Sequence, residues 1–460
     1  MESLLVEEVL KAVNGRLLRG NLDDTISGVS TDTRSLNCGD LFFALNGQHD
    51  GHAFVGTAIE KGAAGIVVSR LDSVPSECGA AVIQVDDPLW ALGDLAAYYR
   101  GKFDAKVIAI TGSVGKTTTK EMLAEILGRK WRVLKNELNY NNEIGVPMTL
   151  FRLERNHEMV VLELAMRGLG EIRRLAKISK PSIGVITNVG MSHIERLGSQ
   201  GTIAEAKGEL LAELPGDGLA VLNYEDGYFT VMQESHAGKI VSFGSCAGAD
   251  IVATKIHAKK DGSHQFTLKA DGDSVQVKLP ILGFHNVFNA LAAAAVAVSL
   301  GVDLATIREG LESFQLPGMR MELVKTESGC TVLNDAYNAS PASMSAAVRT
   351  LRAMKGYSRK IVVLGDMLEL GDYSEKAHRD IGVVVAEGGL DLLVTVGDSA
   401  HSIADGARDA GFNAALVLSY SDSAEAGPAL KSRLGTGDVV LIKGSRGMKM
   451  ELIVEALQSA

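Results

Sequence analysis

The chain has 460 residues, of which 46% are hydrophobic and 22% are charged, and its formal net charge at pH 7 is −10. This composition is ordinary for a globular protein, and the length predicts about three domains at ~150 residues each. The acidic balance argues against nucleic acid or an anionic membrane as the main partner, but it leaves room for a locally basic pocket that binds an anionic substrate.

Cysteine use and the N-terminal segment indicate the compartment. The four cysteines are widely spaced and form no CxxC pair, which predicts neither a zinc site nor a disulfide scaffold. We expect buried thiols in a reducing compartment. The first residues, MESLLVEEVLKAV, are acidic and amphipathic, unlike a signal peptide, and the longest apolar run, Ala290 to Leu300, is too short to span a bilayer. The sequence therefore predicts a soluble, cytoplasmic protein.

Residues 1–85 are predicted to form a small α/β domain. Leu4, Leu5, Val9 and Val13 are spaced as one face of a first helix. The elements predicted after it are strands at 40–45, 65–68 and 81–85 and a helix at 53–61. Short strands that alternate with helices favour a mixed α/β unit.

Residues 86–316 are predicted to form a central domain around a parallel sheet, because strands alternate with helical segments. The predicted elements are helices at 90–99 and 121–127, strands at 107–110, 159–164 and 183–188, and an Ala-rich helix at 286–300. Between 250 and 280 the pattern changes to alternating residues with Asp-Gly turns at 261–262 and 271–272. Those turns predict an antiparallel appendage.

Residues 317–460 are predicted to form a third domain, which is doubly wound and Rossmann-like. A Pro-Gly pair at 317–318 marks its start. Its strands are predicted near 331–334, 360–364, 392–396 and 439–442. In such sheets the functional loops lie at the carboxyl ends of the strands. These ends carry Asp335, Gly365-Asp366, Gly397-Asp398 and Lys443-Gly444-Ser445.

The segment Ile110 to Thr118, ITGSVGKTT, connects the first central strand to a helix. Strand, glycine turn and helix is the context that a phosphate-binding loop needs. Its glycines let successive backbone N–H groups point at one anion, Lys116 can reach the terminal phosphates, and a threonine hydroxyl can bind Mg²⁺. The usual pattern has a glycine where this chain has Ile110, so an ordinary glycine-rich turn is the alternative. The segment predicts ATP or GTP binding.

Three polar clusters lie between predicted elements. Residues 30–34 (STDTR) and 46–52 (NGQHDGH) are of a kind that turn chemistry alone explains. Residues 139–147 (NYNNEIGVP) are dense in amides, which suit sugar hydroxyls and peptide groups but also occur in capped loops. Both interpretations stay open from the pattern alone.

Three titratable side chains stand near the predicted phosphate loop. Glu163, near the end of a buried strand, is where a Mg²⁺ ligand is expected; the alternative is an acid paired with a lysine or capping a helix. His193 follows the strand at 183–188 and is either structural or a group at the phosphates. Lys207 lies in a helical pattern, where a solvated lysine is the ordinary interpretation.

Further polar residues lie near the second boundary. His285 and Asn286 open the Ala-rich helix with Asn289 one turn on, and Asn286 could simply cap that helix. Arg320 is a fixed cation with a fork geometry suited to a phosphate, or it is half of a surface ion pair. Residues 334–341 (NDAYNASP) end a strand and are also rich in turn formers.

Taken in order, these motifs resemble the Mur ligase family. The motifs are residues 111–118 (TGSVGKTT), Glu163, residues 188–195 (NVGMSHIE), His285-Asn286 with Asn289, and residues 335–338 (DAYN). The resemblance covers nearly the whole chain and accounts for the missing first glycine, since that family's loop resembles the one here. It implies three domains, one each for the UDP end of the substrate, for ATP, and for the incoming amino acid or dipeptide.

Three features look most like the family member that adds D-alanyl-D-alanine to a UDP-N-acetylmuramoyl-tripeptide. They are residues 141–147 (NNEIGVP), 337–341 (YNASP) and 364–371 (LGDMLELG) running on to His378. The Asp-Asn-Pro-Arg motif of the relative that adds diaminopimelate or lysine is absent. The resemblance implies ATP-driven amide formation in peptidoglycan synthesis. The γ-phosphoryl group passes to the peptide carboxylate, the dipeptide amine attacks the acyl phosphate, and phosphate leaves.

The resemblance also implies roles for individual residues. It assigns ATP to Gly112, Ser113, Val114, Gly115, Lys116, Thr117, Thr118, Asn286, Asn289, Arg320, Asp335 and Tyr337. It assigns Mg²⁺ to Thr117, Glu163, His193 and Lys207, with Lys207 carbamylated, and catalysis to Lys116, His193, Lys207 and Arg320. Candidates for the UDP substrate are Ser30, Thr33, Arg34, His52, Asn141 and Asn142, and candidates for the dipeptide are Asn338, Asp366, Lys443, Ser445 and Arg446. We further expect a monomer with no nucleic-acid partner and no membrane insertion.

Two rival functions stay open on the sequence. Another amide ligase of the same superfamily, such as a folylpolyglutamate synthase, would act on a folate and leave the N-terminal polar clusters without a UDP role. A P-loop switch would use nucleotide to change conformation and would show no peptide-dependent turnover. The polar strand ends of the third domain argue against a switch, since a switch needs no second substrate site.

Overall fold

The computed structural model describes every residue except Gln48, Leu138, Pro317 and Ala460. The N-terminal unit comprises β1 (Leu4–Leu5), α1 (Val6–Val13), β2 (Arg16–Arg19), β3 (Thr25–Ile26), β4 (Gly28–Ser30), β5 (Asp40–Phe43), α2 (Val55–Glu60), β6 (Gly65–Val68) and β7 (Ala81–Gln84). Five of its strands form a sheet in the order β2-β7-β6-β5-β4, parallel from β4 to β7 with β2 antiparallel at the edge.

The first helix begins later than predicted. Leu4 and Leu5 form β1, which pairs antiparallel with β3, and α1 begins at Val6. The Glu8 carboxylate accepts a hydrogen bond from the Leu5 N–H at 2.9 Å, which satisfies a backbone donor where the chain enters the helix. Leu5 is 38% exposed, so the prediction that it shares one face of the first helix with Leu4, Val9 and Val13 was wrong. The second predicted helix is a 3-10 turn, Gly51–Phe54, followed by α2.

The central unit holds one nine-stranded sheet. Its elements are α3 (Pro88–Arg100), β8 (Lys106–Thr111), α4 (Lys116–Leu127), β9 (Val133–Lys135), α5 (Gly145–Leu150), β10 (Met159–Glu163), α6 (Glu171–Ser179), β11 (Ile183–Ile186), α7 (Ile194–Leu197), α8 (Gln200–Ala212), β12 (Leu219–Asn223), α9 (Phe229–Glu234), β13 (Lys239–Gly244), β14 (Ile251–Ala258), β15 (Ser263–Ala270), β16 (Asp273–Leu282), α10 (His285–Ser299) and α11 (Leu304–Ser313). The strand order is β16-β15-β14-β13-β12-β11-β8-β10-β9. Pairing is parallel from β9 through to β14 and antiparallel for β14, β15 and β16, which confirms the predicted parallel sheet with an antiparallel appendage.

The C-terminal unit is doubly wound, as predicted. Its elements are β17 (Glu322–Lys325), β18 (Thr331–Asp335), α12 (Pro341–Ala353), β19 (Lys360–Gly365), α13 (Ser374–Ala386), β20 (Leu392–Val396), α14 (His401–Asp409), β21 (Val417–Tyr420), α15 (Ser423–Lys431), β22 (Val439–Lys443) and α16 (Glu451–Gln458). The strand order is β17-β18-β22-β19-β20-β21, with only β17 antiparallel to its neighbour. Apolar residues of α12, α13 and α14 cover one face of this sheet, and those of α15 and α16 cover the other. The domain boundaries after residues 85 and 316 stay predictions, and Pro317 lies outside the described residues.

The cysteines differ in exposure. All four are free thiols: Cys38 is exposed, Cys78 and Cys246 are partly exposed, and Cys330 is buried. The expectation of buried thiols was therefore wrong for Cys38, which lies in a turn before β5 rather than in an element. Within the part of the chain that the structure describes, no helix has the length and apolar character needed to cross a membrane.

Candidate active site

One cleft of about 1060 Å³ is lined by the central and C-terminal units together. The central unit contributes the loop before α4, the segment 139–144 and the residues that follow β10 and β11. The C-terminal unit contributes Arg320, Asp335, Tyr337 and the loop after β22. The carboxyl ends of strands from two sheets therefore meet at one place, which is where α/β proteins bind ligands.

The loop between β8 and α4 requires glycine at two positions. Gly112 and Gly115 have φ values of 149° and 86°, and Gly115 directly precedes α4. A Cβ at Gly112 would lie 1.9 Å from Thr187 Oγ1, and one at Gly115 would lie 2.2 Å from Asn289 Oδ1. Ile110, at the position where a glycine is usual, is fully buried in β8 between β10 and β11. The departure from the usual pattern therefore lies in the sheet and leaves the loop intact.

Polar contacts from the segment after β11 hold this loop in place. The Val114 N–H donates to Asn188 Oδ1 at 3.0 Å, and the Gly190 N–H donates to Ser113 Oγ at 2.8 Å. Thr187 Oγ1 donates to the Val114 carbonyl at 2.7 Å. The loop is thus fixed before any ligand binds.

Lys116 is folded back against its own loop. Its Nζ donates to the Gly112 carbonyl at 2.8 Å. Burial lowers the pKa of Lys116; the nearby Glu163 carboxylate opposes that shift, and the Arg320 cation adds to it. An anion in the cleft would favour the charged form of the ammonium, so the side chain suits a phosphate group.

Glu163 accepts two hydrogen bonds at the end of β10. Thr117 Oγ1 donates to its Oε2 at 2.7 Å, and Asn141 Nδ2 donates to its Oε1 at 2.9 Å. Glu163 is 4% exposed, and no lysine or arginine among the described residues forms an ion pair with it. The paired-acid alternative is therefore wrong.

These oxygens suit a hard divalent cation. Across the described ranges, no group of three or more His, Cys, Asp or Glu side chains could hold a metal ion by itself. Mg²⁺ is usually bound by one or two carboxylates together with substrate phosphates, and a carboxylate beside a threonine hydroxyl fits that mode.

Asn136 and Lys120 support Glu163, and the sequence analysis missed both. Asn136 is fully buried; its Oδ1 accepts from the Glu163 N–H at 2.9 Å and its Nδ2 donates to the Glu163 carbonyl at 3.0 Å. The buried Lys120 ammonium donates to the Asn136 carbonyl and lies 3.0 Å from Glu121 Oε1. Lys120 follows Lys116 by one helical turn, a spacing that could have indicated a shared face.

His193 contacts the C-terminal unit. It directly precedes α7 with left-handed backbone (φ 65°), and its Nδ1 lies 2.6 Å from Glu369 Oε2. Burial lowers the pKa of His193; Glu369 opposes that shift, and the charges of Lys116 and Lys207 add to it. His193 and Lys116 line the same cleft, and a role for His193 at the phosphates stays a prediction.

Lys207 is a buried lysine rather than a solvated one. It is 2% exposed in α8, and its ammonium forms no hydrogen bond or ion pair with any described residue. Burial lowers its pKa well below the usual value, Lys116 adds to the lowering, and Asp226 opposes it. A buried ammonium without a partner is costly, so this environment favours the neutral amine.

Two asparagines at the start of α10 form a buried pair below the loop. Asn286 Nδ2 donates to the Leu282 carbonyl at 2.6 Å, and Asn289 Nδ2 donates to Asn286 Oδ1 at 2.8 Å. Phe284, not Asn286, is the N-cap, so the capping alternative was wrong. Both asparagines line the cleft.

The cations of the C-terminal unit have partners of their own. The Arg320 guanidinium stacks on the Tyr337 ring at 4.0 Å from its centroid, and no carboxylate among the described residues forms an ion pair with it. Lys443 Nζ lies 2.6 Å from Asp335 Oδ2 and donates to the Asn338 carbonyl at 2.8 Å. Asp335 was predicted to bind ATP and Lys443 the dipeptide, but the two side chains form one largely buried ion pair.

The remaining dipeptide candidates do not all reach the cleft. Asn338, Ser445 and Arg446 line it. Asp366 does not: it is 8% exposed, and its Oδ1 accepts from the Ala400 N–H at 2.7 Å. Its carboxylate orders the loop before α14, so a direct contact with a ligand is not what the structure supports.

The UDP candidates fall into two groups. Asn141 and Asn142 line the cleft, whereas the N-terminal candidates Ser30, Thr33, Arg34 and His52 do not. His52 is 1% exposed, its Nδ1 lies 2.9 Å from Asp50 Oδ1, and its Nε2 accepts from the Ser69 N–H at 3.1 Å. With both ring nitrogens engaged, this histidine organises its own loop.

The other N-terminal candidates differ in accessibility. The Arg34 side chain is 90% exposed and pairs with Asp32 at 2.6 Å. Ser30 is buried and its Oγ donates to the Asp32 carbonyl at 2.9 Å, while the Thr33 carbonyl accepts from Lys61 Nζ at 2.7 Å. Arg34 is the member of this group whose charge is open to a ligand.

Fold and site define a P-loop α/β protein in which a second unit brings its own polar groups to the nucleotide loop. Three family models match the chain: the Mur ligase family, catalytic domain, over residues 25–100; the Mur ligase middle domain over 110–297; and the Mur ligase, glutamate ligase domain, over 319–446. The UDP-N-acetylmuramoyl-tripeptide–D-alanyl-D-alanine ligase of Bacillus subtilis is 40% identical over 98% of each chain. The chain belongs to the Mur ligase family.

Solved structures agree with this placement. A crystal structure of MurF from Acinetobacter baumannii is similar with a TM-score of 0.92 and 35% identity, covering 100% of this chain and 99% of that one. A MurF ligase from Thermotoga maritima in complex with ADP has a TM-score of 0.83 and 28% identity, covering 94% and 97%.

Proposed function

We propose that this chain is an ATP-dependent amide ligase that joins D-alanyl-D-alanine to a UDP-N-acetylmuramoyl-tripeptide, giving the pentapeptide precursor of peptidoglycan. The observation that carries the proposal is the shared cleft, in which a phosphate loop faces polar groups of a second unit. A carboxylate is a poor electrophile at neutral pH, and phosphorylation gives it a leaving group. Because the acyl phosphate would hydrolyse in open water, a site closed by two units suits this chemistry.

The phosphate loop and its neighbours are proposed to bind ATP and Mg²⁺. Loop N–H groups and Lys116 hold the phosphates, while the buried asparagines of α10 and the stacked Arg320 and Tyr337 bind the rest of the nucleotide. Thr117 and Glu163 hold one Mg²⁺, and His193 helps to hold a second. When bound, the ion supplies positive charge to the phosphates of two anionic reactants.

Lys207 is proposed to carry a carbamate. Its burial, its missing hydrogen-bond partners and its lowered pKa all favour a neutral amine, and a neutral amine is the form that reacts with CO₂. The product would be an anion, which the nearby positive charge of Lys116 would favour.

The C-terminal unit is proposed to bind the dipeptide, and the N-terminal unit the UDP moiety. Asn338, Ser445 and Arg446 face the cleft, where they can bind the dipeptide, while the Asp335–Lys443 pair is shared with the nucleotide side. Arg34 is the N-terminal candidate with an accessible charge. The proposed domains are residues 1–85, 86–316 and 317–460, and the proposed setting is the cytoplasm, with a monomeric enzyme.

The test is ADP release with matched substrates. We expect turnover with UDP-N-acetylmuramoyl-tripeptide plus D-alanyl-D-alanine and none when either is omitted. In the control reaction, a folate and glutamate replace UDP-N-acetylmuramoyl-tripeptide and D-alanyl-D-alanine. Turnover with the folate would support a folylpolyglutamate synthase, and nucleotide hydrolysis indifferent to every substrate would support a switch protein.

A further inference from the structure

The loop after β19 carries a carboxylate across the cleft into the central unit. Glu369 Oε2 lies 2.6 Å from His193 Nδ1, although the two residues belong to different sheets. Both residues have left-handed backbone, with φ values of 62° and 65°. Left-handed backbone is unfavourable for a non-glycine residue and persists only where the surroundings enforce it.

The surroundings of this contact fix the loop on both sides. On its own unit, the Leu368 N–H donates to Ser445 Oγ at 2.9 Å. On the central unit, Tyr373 Oη donates to the Gly198 carbonyl at 3.4 Å, and a Cβ at Gly371 would lie 2.9 Å from Glu195 Cγ. The Glu369 side chain is therefore delivered to His193 by docking of the whole loop.

The geometry determines which nitrogen of His193 stays available. A carboxylate oxygen only accepts hydrogen bonds, so Nδ1 carries a proton and donates a hydrogen bond to Glu369. In the neutral imidazole the Nε2 lone pair is then free. Histidines that bind metal almost always donate their other ring N–H to a carboxylate, carbonyl or water, which fixes the tautomer and the ring orientation.

We propose that Glu369 is a positioning residue for the metal site: it holds His193 in the Nε2-free tautomer, and it does so only when the C-terminal unit is docked. The inference rests on the proposed role of His193. It adds that the second Mg²⁺ site is completed by a residue of the unit proposed to bind the dipeptide. Metal binding and docking of that unit then favour each other, because each is stronger when the other is present.

A purely structural role for the pair predicts a different outcome. The two side chains are 28% and 41% exposed, and ion pairs this accessible contribute little to stability. Removing a carboxylate that orients a metal-binding histidine typically costs about 10–100-fold in metal affinity or activity. Stability and Mg²⁺ dependence therefore separate the two roles.

The experiment compares Glu369→Ala, Glu369→Gln and the control Glu375→Gln, an exposed acid of α13 outside the cleft. Steady-state ADP release is measured against Mg²⁺ concentration, and calorimetry measures binding of a non-hydrolysable ATP analogue with and without Mg²⁺. We expect Glu369→Ala to raise the half-saturating Mg²⁺ concentration about 10-fold or more. Without Mg²⁺, Glu369→Ala should bind the ATP analogue as tightly as wild type does. The melting temperature of the variant should equal that of wild type.

Glu369→Gln keeps an oxygen that accepts the Nδ1–H, so its defect should lie between those of the alanine variant and wild type. If both variants show the Mg²⁺ dependence of Glu375→Gln in the two assays, the positioning role is refuted. If the alanine variant fails to fold, the glutamine variant decides by the same comparison. A wild-type enzyme without muramoyl-dependent turnover would refute the proposed function instead, which keeps the two failures distinct.

Discussion

Replacing Asn136 by alanine should destabilise the central unit more than any change of comparable size on the cleft surface. β9 ends at Lys135, and beyond it the amide of Asn136 takes over the pairing that a longer strand would give to Glu163. Alanine leaves two buried backbone groups without their partner, the Glu163 N–H and carbonyl, and also frees the partly buried Tyr140 carbonyl bonded at 2.8 Å. An unsatisfied buried group costs roughly 1–3 kcal/mol, so with partial relaxation we expect a loss of about 3 kcal/mol.

The assay is urea unfolding of Asn136→Ala beside Asn141→Ala. Asn141 bonds the Glu163 side-chain carboxylate rather than its backbone, from the partly exposed rim, so its loss should cost about 1 kcal/mol or less. Both variants should lower the turnover number, because Asn136→Ala loosens the backbone that carries Glu163 and Asn141→Ala removes a hydrogen bond to its carboxylate. An Asn136→Ala protein that is as stable as Asn141→Ala would refute the view that this amide extends the sheet.

Three further outcomes are expected. Lys116→Ala should abolish ATP turnover while circular dichroism stays that of the folded protein, because the ammonium contributes charge to a ligand; wild-type turnover would contradict the nucleotide site. Lys207→Ala should lose most activity and regain part of it with added short carboxylates, and full activity without them would rule out a carbamate. Burial raises the pKa of the Cys330 thiol to about 11. At neutral pH, iodoacetamide should therefore modify the exposed Cys38 well before Cys330, as peptide mass mapping would show. The reverse order would contradict the burial of Cys330.

Domain closure is a fourth expectation and belongs with the shared cleft. Small-angle scattering should show compaction when ATP analogue and UDP substrate are both present, since groups of two units line one site. An unchanged radius of gyration would contradict it. We expect the hinge at the Pro-Gly pair 317–318, where the third domain is predicted to start; Pro317 lies outside the described residues.

Local patterns predicted the elements well where one strand, one turn and one helix follow each other. The loop from Gly112 to Lys116 is of this kind, because its glycines, its strand and its helix are neighbours in sequence. Glu163 and His193 could be placed too, since carboxyl ends of parallel strands share an edge. Leu4 and Leu5 were misplaced because a pairing partner across the chain, β3, decides their backbone, and helical spacing carries no trace of that partner.

Tertiary contacts explain what the sequence could not show. His52 looked like a ligand in a polar cluster, but Asp50 and the Ser69 N–H take up both of its nitrogens. Lys207 looked solvated because a helix pattern does not reveal what packs over it. The meeting of Glu369 with His193 depends on how two separate sheets dock, which no local pattern encodes.

The central sheet also has a consequence for synthesis on the ribosome. Its middle strands, β8, β10 and β11, are all made before β12, so the outer edge of β11 has no partner until α8 and β12 have followed. At ~5–20 residues per second, that edge stays open for a few seconds. Unpaired strand edges invite wrong pairing with other chains. Slow codons in the segment between β11 and β12 should therefore lower the yield of folded protein more than slow codons within the C-terminal unit.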